Sequence, residues 1–314
     1  MLEVTRLSYS YENKKVLHEI SFSLEKGKHY ALIGASGSGK STLLKLVYGL
    51  LDAEEGSVFW NGTQVQGPAY HLVPGMDFMK YLAQDFDLMP YVTVRENIGR
   101  FLSNFYLREK AERVQELLEL VELEEFSDVK ARYLSGGQMQ RTALARVLAL
   151  EPELLLLDEP FSHIDVHQKN KLARHLFEYC KQKGITVLYT SHTPEEALMY
   201  ADEILVLHNG MLLEKDVPQQ IYSRPANEYT ARLTGEINKI PMRFLGIDEE
   251  GFLLVRPHEL RVSDEGIRVK VKHSYFKGTC FLIEADAGTG VYFFEHENLI
   301  ETGTHLKLTL KAKI

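Results

Sequence analysis

Nine consecutive residues, Gly34-Ala35-Ser36-Gly37-Ser38-Gly39-Lys40-Ser41-Thr42, constrain this chain more than any other stretch. They fit G-x-x-x-x-G-K-[ST], the phosphate-binding P-loop. The apolar run Tyr30-Ala31-Leu32-Ile33 before them reads as a buried strand, and Ser41 to Val47 after them reads as a helix. Glycines let the backbone curl so that several N–H groups point inward at phosphate oxygens. The helix N-terminus adds partial positive charge. In such a loop Lys40 reaches the β- and γ-phosphates, and the Ser41 hydroxyl sits on Mg²⁺.

The 314 residues suffice for two domains, and a composition of 45% hydrophobic and 25% charged residues is that of a globular protein. A net charge of −8 argues against a nucleic-acid binder. Leu154-Leu155-Leu156-Leu157 is too short to span a bilayer. Met1 to Arg6 has no basic start leading into an apolar core, so no signal peptide is expected. The two cysteines, Cys180 and Cys280, form no CxxC and read as reduced thiols. Action at a membrane would therefore require docking on another chain.

Leu2 to Leu24 alternates apolar and polar residues around Glu12-Asn13-Lys14, which predicts an antiparallel strand pair. Tyr11, at its tip, is placed either to stack on a purine or to stand as an ordinary edge tyrosine. Ser57 to Trp60 reads as a strand entering an Asn61-Gly62 turn, and residues 63–80 are loop-rich. Gln84 is read as ending a short strand, where a glutamine could touch Mg²⁺ and an attacking water. Residues 93–126 read as helical, with Val114, Leu117, Leu118 and Val121 on one apolar face.

Leu134-Ser135-Gly136-Gly137-Gln138 opens a helix running to about Leu150, with Ser135 as N-cap. Its paired glycines leave N–H groups uncovered at a helix start, a second phosphate-grade position. Glu151-Pro152 breaks that helix. The apolar strand Leu154 to Leu157 then delivers Asp158-Glu159-Pro160, a Walker-B pattern. Asp158 would hold Mg²⁺ through water, and Glu159 would polarise the attacking water as general base. A helix is expected from about Val166 to Lys183, closed by Gly184, followed by the strand Ile185 to Thr190. Thr193-Pro194-Glu195-Glu196 reads as a capping box with proline at the first helical position. His192 thus falls at a strand end, where it could bond a γ-phosphate or be a satisfied loop histidine. His18, His29, His71, His163 and His208 read as structural. Residues 203–213 read as a hairpin, and 218–235 as a helix or two interrupted by Arg224-Pro225. Beyond about residue 238, short alternating segments separated by glycine turns predict a small all-β barrel or sandwich.

In this order, the motifs of the first 235 residues resemble those of ABC-transporter ATP-binding subunits. The resemblance assigns Tyr11 to the adenine-stacking loop, Gly34 to Thr42 to Walker A and Gln84 to the Q-loop. It assigns Leu134 to Gln138 to the LSGGQ signature and Leu154 to Glu159 to Walker B with its catalytic glutamate. Ser162 to Asp165 fall on the D-loop, and His192 on the switch histidine. A narrower similarity rests on Thr93-Val94-Arg95-Glu96-Asn97-Ile98, Tyr222-Ser223-Arg224-Pro225-Ala226 and Val255-Arg256-Pro257-His258-Glu259. These look like the importer ATPases for oxyanions, ferric iron, polyamines and sugars.

That resemblance implies an α/β P-loop NTPase over 1–237: a mixed-sheet core, an antiparallel β subdomain and a helical subdomain at about 86–145. A small all-β domain of the TOBE/OB-like type would occupy 238–314, either bracing a dimer or sensing a ligand. It implies ATP and Mg²⁺, with Asp165 among the nucleotide-binding residues, and a homodimer or paired ATPase subunit whose signature faces the opposite subunit's nucleotide. The partners implied are two transmembrane permease domains and an extracytoplasmic substrate-binding protein, with the chain peripheral at the cytoplasmic face. The alternative is a soluble, non-transport ABC ATPase of the DNA-repair or translation type. Departures are His163-Ile164 where Ala-Leu is usual, Thr193 where Asp is usual, the divergent 63–80 loop and a short C-terminal region.

Overall fold

The computed structural model describes residues 1–71, 73–242 and 250–311. Leu72 of the 63–80 stretch, and residues 243–249 and 312–314 of the C-terminal region, lie outside them. The chain divides into two units, Met1–Ile221 and Tyr222–Ile314.

The first unit begins with strands β1 (Leu2–Tyr11), β2 (Lys14–Leu24) and β3 (His29–Ile33), then helix α1 (Lys40–Tyr48). Strands β4 (Glu55–Trp60), β5 (Thr63–Gln64) and β6 (Met79–Leu82) follow, then helices α2 (Val94–Ile98), α3 (Leu107–Leu120) and α4 (Gly136–Leu148). Strand β7 (Leu154–Leu157), helix α5 (Val166–Gln182), strand β8 (Thr186–Thr190) and helix α6 (Pro194–Tyr200) complete the alternating part. The hairpin β9 (Glu203–His208) and β10 (Met211–Asp216) leads to α7 (Pro218–Ser223).

Two sheets result. One is antiparallel, ordered β2-β1-β4-β5, and the other has six strands ordered β10-β9-β3-β8-β7-β6. In the second, β9, β3, β8, β7 and β6 run parallel and only β10 is antiparallel. Strands β3, β7 and β8 are buried along their whole length. A parallel sheet covered on both faces requires such continuous apolar runs. The alternation expected in β1 and β2 matches their half-buried pattern. Their inward residues Leu2, Leu17 and Leu24 share one core with Leu43 and Val47 of α1 and with Leu156 and Leu188 of the parallel sheet. Truncating Leu156 to Ala in this core would cost about 2–5 kcal/mol.

The 93–126 stretch is not one helix. Short α2, capped by the reciprocal Thr93–Glu96 box, is separated from α3 by residues 99–106. The expected apolar face of α3 is present: Val114, Leu117, Leu118 and the following Val121 are buried. Helix α6 does not start as its local pattern predicts. The Thr193 side chain makes no capping bond. The Glu196 carboxylate instead accepts from the Ser191 hydroxyl at 2.6 Å and pairs with Lys169 of α5 at 2.8 Å. A half-buried ammonium offers a carboxylate more than a backbone N–H does.

The second unit carries α8 (Glu228–Leu233) and strands β11 (Asn238–Pro241), β12 (Phe252–Val255), β13 (Leu260–Ser263), β14 (Ile267–Phe276), β15 (Phe281–Asp286), β16 (Val291–His296) and β17 (His305–Leu310). The last five form an antiparallel sheet ordered β13-β17-β14-β15-β16, and β11 pairs with β12. The all-β reading of this region therefore holds, with β11 and β13 in addition to the expected strands. Asn238 blunts the edge of β16 by bonding both the N–H and the carbonyl of Phe293 at 2.7 Å. Arg256 is buried and donates to the carbonyls of Ala231 (2.9 Å), Tyr222 (3.0 Å) and Gly235 (3.2 Å). Its guanidinium thus satisfies carbonyls left over at the ends of α7 and α8.

Candidate functional site

The P-loop joins β3 to α1 as the flanking sequence predicts. Gly39, the residue before α1, has φ +105°, and a Cβ there would lie 2.7 Å from Leu17 Cδ2. A Cβ on Gly34 would lie 2.2 Å from the Leu207 carbonyl oxygen. Both positions therefore demand glycine, for conformation in one case and close approach in the other. Lys40 is buried, and its Nζ donates to the carbonyls of Gly34 (2.9 Å) and Ala35 (3.1 Å). Burial pushes its pKa down, while Glu159 and Asp158 oppose that shift. The ammonium thus lies folded over the loop that would cradle a phosphate. The Ser38 hydroxyl is buried in the same loop and has no hydrogen-bond partner among the described residues.

Asp158 is delivered by the end of β7 and is 3% exposed. Three hydroxyls hold its carboxylate: Ser41 (3.0 Å) and Thr190 (2.9 Å) on Oδ1, and Tyr81 (3.3 Å) on Oδ2. Burial and then the charge of Asp158 push the Tyr81 pKa well up, so the phenol remains a donor. The next residue, Glu159, has φ +53°, a left-handed conformation for a side-chain-bearing residue. That strain turns the chain sharply at the strand end and is held by its surroundings. Its N–H donates to Thr190 Oγ1 at 2.9 Å and its carbonyl accepts from Gln140 Nε2 at 3.0 Å. Its carboxylate contacts His192 Nε2.

A cleft of about 500 Å³ brings together Ser36, Gly37 and residues 39–42 of the P-loop with Gln84, Glu159, His192 and Val16. Gln84 lies two residues beyond the end of β6, in a turn, rather than in the strand itself. Four of the motifs singled out in the sequence thus converge. Tyr11 is not among the residues lining this cleft; it is exposed, with its ring edge-on to Tyr9 at 4.9 Å.

Ser135, Gly136, Gly137 and Gln138 do not line it either. They start α4 through a reciprocal capping box: Ser135 Oγ accepts from Gln138 N at 3.3 Å, and Ser135 N donates to Gln138 Oε1 at 2.8 Å. Gly137 backs onto the D-loop, where a Cβ would lie 3.0 Å from the His163 carbonyl oxygen. Asp165 is exposed at the start of α5 and makes no side-chain capping bond.

Thr190, Tyr81 and Gln140 are functional-site neighbours that sequence reasoning missed. Thr190 had a weak signal, a hydroxyl at the inner end of an otherwise apolar strand. The other two had none, since their partners are distant in sequence.

An all-oxygen set of one serine hydroxyl, one amide and one carboxylate suits a hard cation shared with phosphates. Among the described residues no group of three or more His, Cys, Asp or Glu could hold a metal alone. Mg²⁺ does not need one, because it keeps waters and takes substrate oxygens.

Fold and site are those of a P-loop nucleotide hydrolase: a parallel sheet whose strand ends surround a phosphate cradle with paired acids. The family model described as "ABC transporter" matches residues 17–162. The chain is 35% identical to the sulfate/thiosulfate import ATP-binding protein CysA of Pseudomonas syringae, over 85% of this chain and 81% of that protein. It is 35% identical to the Fe(3+) ions import ATP-binding protein FbpC of Haemophilus influenzae, over 78% and 70%. Among solved structures it resembles the dimeric ATP-binding cassette MJ0796 in a post-hydrolysis state with ADP and Pi, with TM-score 0.62, 26% identity and coverage of 69% and 99%. It also resembles cbiO1 of Clostridium perfringens, with TM-score 0.63, 26% identity and coverage of 71% and 90%. The chain belongs to the ABC transporter family; it is an ATP-binding subunit and an ATPase.

Proposed function

We propose that this chain is the ATP-hydrolysing subunit of an importer. In this reading it closes as a homodimer around two Mg-ATP and drives uptake through partner permease subunits. The observation that carries the reading is the division of the motifs: P-loop, Gln84, Glu159 and His192 share one cleft, while Ser135 to Gln138 open a helix elsewhere. A head-to-tail pair of chains brings each signature to the other chain's nucleotide. Import is supported by the import proteins among its relatives.

Within the cleft, Gly34 to Thr42 wrap the phosphates, Lys40 moves from the loop carbonyls to phosphate oxygens, and Tyr11 stacks on adenine. Ser41, Gln84 and, through water, Asp158 would hold Mg²⁺, which supplies charge neutralisation on the β- and γ-oxygens. Glu159 accepts the proton of the attacking water, and His192 bonds the γ-phosphate. From the opposite subunit, Ser135, Gly136, Gly137 and Gln138 donate to the γ-phosphate, with Asp165 beside them. ATP binds the closed pair better than the open one, so its loss on hydrolysis reopens the dimer.

Among the described residues no helix is long and apolar enough to cross a membrane. Attachment at the cytoplasmic face therefore falls to the permease. Its docking surface would be the helical stretch, where a groove of about 850 Å³ runs along α3 past Leu107, Val114 and Leu118. Phe105, just before it, is 94% exposed. An extracytoplasmic binding protein would deliver the substrate, and the 238–314 region would be a TOBE-like domain that braces the dimer. Isolating the tagged chain from native membranes in mild detergent tests this reading. It should carry two membrane-spanning subunits with it; recovery with nucleic acid or ribosomes instead would overturn it.

A further inference from the structure

We propose that Gln140 is a positioning residue for hydrolysis, one that ties the aim of Glu159 to the helix carrying the signature motif. The inference rests on the reading of Glu159 as general base. Gln140 lies on α4, two residues beyond the capping glutamine Gln138, and is 2% exposed. A buried primary amide needs partners for both its protons and its oxygen. Gln140 finds them all on one short segment after β7. Its Nε2 donates to the Glu159 carbonyl at 3.0 Å and the Ser162 hydroxyl at 3.4 Å. Its Oε1 accepts from the His163 N–H at 3.0 Å.

That segment starts with the left-handed backbone of Glu159, a conformation that persists only where neighbours over-determine it. The N–H of Glu159 is fixed by Thr190 of the sheet, and its carbonyl is fixed in part by Gln140 of the signature helix. The Ser162 N–H and hydroxyl also reach that carbonyl, at 3.3 and 3.2 Å, so they share the task. The His163 N–H has Gln140 as its partner, and the His163 carbonyl packs so near Gly137 that a Cβ there would lie 3.0 Å from its oxygen. The signature helix and the catalytic strand end are therefore clamped at two points. A displacement of one moves the other, and about an ångström at a general base costs on the order of 10²-fold in rate.

The test uses the full chain with Gln140→Met, which keeps length and volume, and Gln140→Glu, which keeps an acceptor for His163 but sets an oxygen against the Glu159 carbonyl. Mg-ATP hydrolysis, binding of a fluorescent ATP analogue and thermal midpoint are measured on each, alone and combined with Glu159→Gln. Both variants should lower kcat about 10-fold or more, with analogue affinity within about twofold of wild type. Added to Glu159→Gln, Gln140→Met should lower the residual rate no further. An unchanged kcat, a loss of ATP affinity that matches the loss of kcat, or a further drop on the Glu159→Gln background overturns the inference. If Glu159→Gln alone hydrolyses normally, the reading of Glu159 has failed instead, and the two failures are distinct.

Discussion

The imidazole Nε2 of His192 contacts the carboxylate of Glu159, and the two side chains enter one cleft from just beyond the ends of the adjacent parallel strands β7 and β8. His192 is the more exposed of the pair, with its side chain about half accessible. It can therefore turn from the carboxylate to a phosphate without unpacking the core. His192→Ala should lower kcat about 10²-fold while leaving binding of a fluorescent ATP analogue intact, since one donor on developing charge is worth that much. A loss of binding with kcat unchanged would place the histidine on ground-state ATP rather than on the reaction.

Thr190 serves two masters: its hydroxyl donates to Asp158 and accepts from the Glu159 N–H. Thr190→Val keeps the shape and leaves both groups short of a partner. Urea unfolding should register a loss of about 1–3 kcal/mol, the cost of buried groups left unpaired. Hydrolysis should need more Mg²⁺, because Asp158 loses one of the three hydroxyls that hold it. Unfolding and Mg²⁺ titration curves that both match wild type would contradict this.

These hydroxyls mark the limit of what the sequence discloses. Leu154 to Leu157 was legible as a buried parallel strand because four apolar residues lie between a helix-breaking Glu151-Pro152 and two acids. The P-loop, its strand and its helix were legible because their geometry is local. Tyr81 and Asp158 are 77 residues apart, and Gln140 and Glu159 are 19 apart. No periodicity or capping rule connects such pairs. The α6 start misled for the same reason: its local pattern is a capping box, but Lys169 from another helix captures Glu196. In the second unit β11, β12 and β13 have four residues each; β12 is apolar throughout and was legible, whereas Asn238-Lys239-Ile240-Pro241 and Leu260-Arg261-Val262-Ser263 are half polar and gave no run to read.

Ser135→Arg tests the signature. The substitution removes the hydroxyl that caps α4, which costs about 1 kcal/mol, and places a bulky cation where a second chain's phosphate would approach. Binding of ATP to the isolated chain should survive, because Ser135 does not line that cleft. Hydrolysis and ATP-dependent dimerisation should both be lost. Unaltered ATPase and dimer formation would refute a signature acting across subunits.

His29 makes stability depend on pH. Burial holds its pKa down at about 4 against a usual 6.5. The unfolded chain therefore binds a proton below about pH 6.5 that the folded chain refuses until about pH 4. Stability should be level above that window and fall through it as pH drops, by on the order of 3 kcal/mol for this group. His29→Gln, which cannot be protonated, should flatten that part of the profile in thermal melts between pH 7 and pH 4.5. A variant with the wild-type slope would assign the acid sensitivity to other groups.

In the proposed mechanism Glu159 activates water within a dimer closed on ATP. The most direct measurement is Mg-ATP hydrolysis by wild type beside Glu159→Gln, with molecular mass followed by light scattering as ATP is added. The rate should fall about 10²-fold or more for Glu159→Gln, and that variant should hold a stable ATP-dependent dimer that wild type forms only transiently. A Glu159→Gln chain that hydrolyses at the wild-type rate, or that stays monomeric on saturating ATP, would contradict that mechanism.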